Sequence, residues 1–135
     1  MTVLLLGGIM NEYENILRTY AVKDADFGDR YSQSLYFEHK RTPHDYNRAI
    51  ETLRDAANDI NLPSRVNNAL VEKIRSLEDH RSCIMGLRAV SHYNTGDMIT
   101  AKKLARDANM GLREGAFIYN GEDLRTVMDG MLQDK

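Results

Sequence analysis

The chain has 135 residues with 42% hydrophobic and 28% charged residues and a formal net charge of −2. That is long enough to bury one core without disulfides or a structural metal, and too apolar for a disordered chain. Its lone cysteine, Cys83, excludes an intramolecular disulfide and points to a reducing, cytoplasmic setting.

The small net charge hides a segregation. Residues 1–38 carry −3, 39–60 carry 0, 61–113 carry +4 from nine bases and five acids, and 114–135 carry −3. Either the acidic ends fold against the basic middle, or the middle offers its positive side to an acidic partner.

Met1 to Gly8 opens with the apolar run Val3, Leu4, Leu5, Leu6. Thr2 to Leu6 is too short for a membrane span and lacks the basic flank of a signal peptide, so no membrane partner is expected. Residues 1–9 read as an apolar arm: a buried strand, a helix-flanking segment, or a dispensable leader if Met10 is the natural start with Asn11 as a helix cap. Burial of the arm against another copy would make a homo-oligomer such as a homodimer.

From Glu12, the residues Tyr13, Ile16, Leu17 and Tyr20 keep helical spacing to about Val22. Lys23 to Arg41 also reads as helix through Phe27, Tyr31 and Leu35, although Gly28, Ser32 and Ser34 weaken it. Thr42-Pro43-His44-Asp45 is a helix start: a capping hydroxyl, proline at the first helical position, and an acid three residues after the cap. The apolar face of Tyr46, Ala49, Ile50, Leu53, Ala56, Ala57 and Ile60 then carries a helix over 43–60, which Asn61-Leu62-Pro63 stops.

Ser64 to Arg113 is the organising stretch. Val66, Leu70, Ile74, Leu77, Ile84, Leu87 and Val90 line one long helix, with Lys73, Arg75, Glu78, Asp79, Arg81 and Arg88 expected mostly off that line. Asn94-Thr95-Gly96-Asp97 breaks it. Ala101, Leu104, Ala105, Ala108 and Leu112 stripe a second helix, and the short link implies an antiparallel hairpin over 64–113. Gly96, Asp97, Ala101 and Ala108 resemble the middle of one tetratricopeptide unit, over about thirty residues. The aromatic and glycine positions earlier in that unit are not met and no second copy follows, so the resemblance implies a helical hairpin and no more. Asn120-Gly121 marks a turn, and Leu124, Val127, Met128, Met131 and Leu132 support a last helix over 122–133 with Glu122 and Asp123 in its first turn.

The expected fold is all-α: one domain over 1–135, a compact bundle of five or six helices around the hairpin, with at most a minor strand pair from 2–6 and 116–119. No Gly-rich phosphate loop, Gly-x-Ser-x-Gly elbow or Cys-x-x-Cys occurs, no cofactor is implied, and His39, His44, His80 and His92 do not fall at helical metal-ligand spacing. Glu51, Asp55 and Asp59 stack four apart on one helix. Helical nucleotide pyrophosphatases use helix-borne acids to hold Mg²⁺ in this general way, so a Mg²⁺-dependent nucleotide hydrolase is one alternative.

The basic residues form two rows: Arg81, Arg88 and His92 on the first arm of the hairpin, and Lys102, Arg106, Asn109 and Arg113 on the second. Turned to the same side, they would make a patch for an acidic protein surface or, as another alternative, for nucleic acid. The reading that follows is a small helical binding protein with a regulatory or adaptor role through protein–protein contacts.

Overall fold

The structure, a computed structural model, describes residues 12–133. The apolar arm at 1–9, the strand expected at 2–6 and the Asn11 cap lie outside the described residues. The fold is an all-α bundle: α1 (Glu12–Lys23), α2 (Ala25–Lys40), α3 (Pro43–Asp59), α4 (Ser64–Asn94), α5 (Met98–Gly111) and α6 (Leu124–Gln133), with a two-stranded antiparallel element, β1 (Ile118–Tyr119) and β2 (Glu122–Asp123). It gathers into two compact units, one holding the described residues up to Lys40 with Arg48–Ser76, the other holding Arg41–Asn47 with the described residues from Leu77.

In the first unit, Asp24 both ends α1 and starts α2. Its amide donates to the Tyr20 carbonyl at 3.0 Å, and its side chain accepts from the Phe27 amide at 3.0 Å. Gly28 explains how α2 tolerates a poor helix former. A Cβ there would lie 2.5 Å from the Ala21 carbonyl oxygen, so glycine is what lets α2 close onto α1. Phe27 then packs edge-on to Tyr20 at 5.3 Å and stacks on Tyr31 at 6.0 Å. Leu17, Phe27 and Tyr31 are buried here, as are Ala49, Ile50, Leu53 and Ala56 of α3 and Val66, Ala69 and Leu70 of α4.

The second unit opens with the expected cap. The Thr42 hydroxyl oxygen accepts from the Asp45 amide at 3.1 Å while donating to the Asp45 carboxylate at 2.7 Å. Tyr46 is buried and stacks on His80 at 6.1 Å. The turn after α4 works as its residues suggest: Gly96 takes φ 89°, and Asp97 caps α5 by accepting from the Thr100 amide at 3.3 Å. The core of this unit joins Met85, Ala89 and Val90 of α4 to Ala101, Ala105 and Ala108 of α5, Leu112, and Leu124, Met128 and Met131 of α6.

Small residues set the spacing of these helices. A Cβ on Gly86 would lie 2.9 Å from the Met128 sulfur, and one on Gly111 would lie 2.5 Å from the Ser82 hydroxyl oxygen. That Ser82 lies beside Gly111 while the short turn joins Asn94 to Met98 makes α4 and α5 antiparallel.

Some expectations are corrected. The last helix starts at Leu124 rather than 122, because Asn120 and Gly121 both take positive φ, 51° and 81°, and fold a two-residue hairpin that recruits Glu122 and Asp123 into β2. The same turn gives the strand at Ile118–Tyr119 a local partner in β2. Lys73, expected off the apolar line of α4, is only 4% exposed.

Candidate functional site

Of the seven basic-face residues, most are occupied. The Arg113 Nε donates to Asp79 at 2.8 Å, and the backbone amide of the same arginine donates to that carboxylate at 3.3 Å. Asn109 donates to Asp129 of α6, and His92 lies 3.3 Å from the Asp97 carboxylate. Lys102 is half-buried and engaged, and Arg81 is half-buried with its Nε out of solvent. Arg88 and Arg106 are exposed and form no ion pair with another described residue.

The two rows are not brought to one side. Arg81, Arg88 and His92 lie two, nine and thirteen residues beyond Asp79, which at about 100° per residue puts them about 180–220° around α4 from it. Arg113 reaches Asp79, so the end of the second row is drawn to the side of α4 opposite the first row.

The acidic row forms no metal site among the described residues. Glu51, Asp55 and Asp59 are exposed on α3, and Asp59 accepts from Arg30 of α2 at 2.8 Å. Arg48 lies over the Phe37 ring at 5.0 Å. Among the described residues no group of three His, Cys, Asp or Glu is placed to hold a metal ion. Cys83 is half-buried, and burial, with Asp79 as a lesser cause, pushes its thiol up to about 11. A thiol held neutral in this way is a poor nucleophile.

Two arrangements escape the sequence reading. In the first unit, Lys73 is buried against Glu14 of α1 and Glu38 of α2, with its Nζ 2.6 Å from Glu38, and the Tyr31 hydroxyl donates to the other oxygen of Glu14 at 2.5 Å. Burial opposes the charge on Lys73, but Glu38 and Glu14 outweigh it and raise its pKa. A lysine held in its charged form is neither base nor nucleophile, so this cluster ties three helices together rather than doing chemistry.

The second arrangement is the outer side of α5. Ile99, Lys103, Arg106 and Met110 each lie two residues from a buried alanine of the inner stripe, hence about 200° around the helix from it. Ile99 is 87% exposed and Met110 is 89% exposed, and Lys103 and Arg106 between them are exposed and form no ion pair with another described residue. Arg106 is the member of the basic row that belongs to this face. The signal was available in the sequence, since two large apolar residues opposite an alanine stripe have no place in the same core.

Comparison with protein-family models, curated proteins and solved structures returned no match. No helix among the described residues is long and apolar enough to cross a membrane.

Proposed function

We propose that this chain is a small helical binding protein that acts through protein–protein contacts, in a regulatory or adaptor role, and that the outer side of α5 is its contact surface. One observation carries the reading: Ile99 and Met110 stand almost fully in solvent on the same side of a helix as Lys103 and Arg106. Leaving two large apolar side chains in water forgoes about 1.5–3 kcal/mol of burial each, which a partner can recover. The bases between them favour an acidic partner surface by speeding encounter and rejecting cationic ones.

The reading is tested by retention on immobilised chain. A protein held by the native chain, released by salt, insensitive to nuclease and lost on the Lys103→Glu, Arg106→Glu variant supports it. Equal retention on both forms of the chain removes α5 as the contact surface. Retention that nuclease abolishes replaces the reading with nucleic-acid binding.

A further inference from the structure

We infer that the outer face of α5 is shaped for an acidic amphipathic helix rather than for a second copy of this chain. The inference rests on the protein-binding reading above and names the partner's chemistry. Ile99, Lys103, Arg106 and Met110 follow one another at four, three and four residues, a single line down the exposed side of the helix. From end to end the line measures about 16 Å at 1.5 Å per residue.

The order along it is apolar, base, base, apolar, and both the spacing and the chemistry read the same in either direction. That symmetry decides the occupant. Two copies pairing their α5 helices antiparallel about a two-fold axis would lay Ile99 of each on Met110 of the other, a good apolar match. The same axis would set Lys103 of each against Arg106 of the other, two like-charge contacts at the centre of the interface. Neither base forms an ion pair with another described residue, so self-pairing is opposed by the charges that lie between its anchors.

A partner helix with apolar residues at i and i+11 and carboxylates at i+4 and i+7 meets every element of the line. Its apolar ends cover Ile99 and Met110, and its acids take Lys103 and Arg106 while the apolar contacts exclude water. Two bases flanked by two large hydrophobes fit a nucleic acid poorly, because the apolar ends offer a phosphate chain nothing.

The test uses the full chain and a fluorescent peptide of roughly 16 residues, about 24 Å long as a helix. It carries leucine at i and i+11 and glutamate at i+4 and i+7; a control peptide has the same composition shuffled so that leucines and glutamates share no face. Anisotropy titration should show the patterned peptide binding at least about tenfold tighter than the shuffled one. That preference should vanish on Ile99→Ser with Met110→Ser, and binding of both peptides should fall on Lys103→Glu with Arg106→Glu. Urea midpoints of both double variants should match the native chain, since all four side chains point away from the core. The charge-reversed variant should instead bind a patterned peptide with lysine in place of glutamate.

Equal binding of patterned and shuffled peptides, lost on charge reversal, would overturn the helix inference and leave the protein-binding reading standing. A concentration-dependent mass in light scattering that falls on Ile99→Ser with Met110→Ser would assign the face to a second copy and overturn the inference. Binding of a single-stranded oligonucleotide in preference to either peptide, or of no probe at all, would overturn the inference and the reading it rests on.

Discussion

Asp79 of α4 takes both the backbone amide and the Nε of Arg113, residues 34 positions apart in the chain. The carboxylate side chain is 14% exposed and the arginine 54% exposed, so the pair sits at the edge of the core rather than free in water. Arg113 is therefore held by the opposite arm of the hairpin. Arg113→Ala should lower stability by about 1 kcal/mol, and a double-mutant cycle with Asp79→Asn should return a coupling of about 0.5–1 kcal/mol in urea melts.

Ser82 and Gly111 give a sharper test of the hairpin. The Ser82 hydroxyl is buried without a hydrogen-bond partner, so Ser82→Ala should be neutral or stabilising. Gly111→Ala alone should cost about 1–3 kcal/mol by overpacking against that hydroxyl. In the double variant the obstructing oxygen is gone and the Ser82 Cβ lies 3.7 Å from the new methyl, an ordinary contact, so most of the loss should return. Chemical denaturation of the three variants reads it out; strictly additive effects would place the two helices further apart than described.

Removing Lys73 should be among the costliest single changes in the first unit. Lys73→Met leaves the Glu14 and Glu38 carboxylates facing each other without a cation, a loss of about 3–5 kcal/mol. Adding Glu14→Gln and Glu38→Gln to that variant should restore most of it, because a neutral cluster no longer needs the ammonium. Both Lys73 and Tyr31 have raised pKa values in the fold: Lys73 from its two carboxylate partners, which outweigh burial, and Tyr31 from burial first and the bond to Glu14 second. Their contributions are complete below the ordinary values of 10.5 and 10.0 and are lost as pH climbs from there through the higher folded values. The urea midpoint should thus fall above pH 10, with a shallower fall in Tyr31→Phe.

Asp97 acts on the other side of neutrality. Hydrogen bonds from Thr100, side chain first and then backbone, hold its carboxyl below the usual aspartate range, and His92 adds to this. A depressed pKa contributes stability that is present above the unfolded value and lost as pH falls through the folded one. Asp97→Asn keeps an acceptor at the cap, so it should flatten the acid limb of the midpoint-versus-pH curve while leaving helicity by circular dichroism in place.

What could be read from the chain and what could not divide along a physical line. The α3 start was legible because Thr42, Pro43 and Asp45 act within one turn, and the hairpin because Gly96, Asp97 and the alanine stripe act within one link. Lys73 was not, although it falls three residues after Leu70 and four before Leu77, on the buried line. A lysine there looks misplaced until Glu14 and Glu38 arrive from two other helices, and only tertiary packing brings them. The β-hairpin was half legible: Asn120-Gly121 announced a turn, but two residues of strand on each side leave no alternating pattern to find. Among the site residues, Arg106 was visible by its spacing. Arg113 and Asn109 share its row, yet their partners Asp79 and Asp129 are set by how α4 and α6 pack on α5.

Cys83 supplies the molecule with its own clock. With its thiol near 11, about one molecule in ten thousand carries the thiolate at neutral pH, against a few per cent for an ordinary exposed cysteine. Alkylation of the native state is correspondingly slow, and any excursion that opens α4 around this position speeds it sharply. As the chain holds a single cysteine, the rate of thiol capture times the opening of that helix without a substitution or a partner.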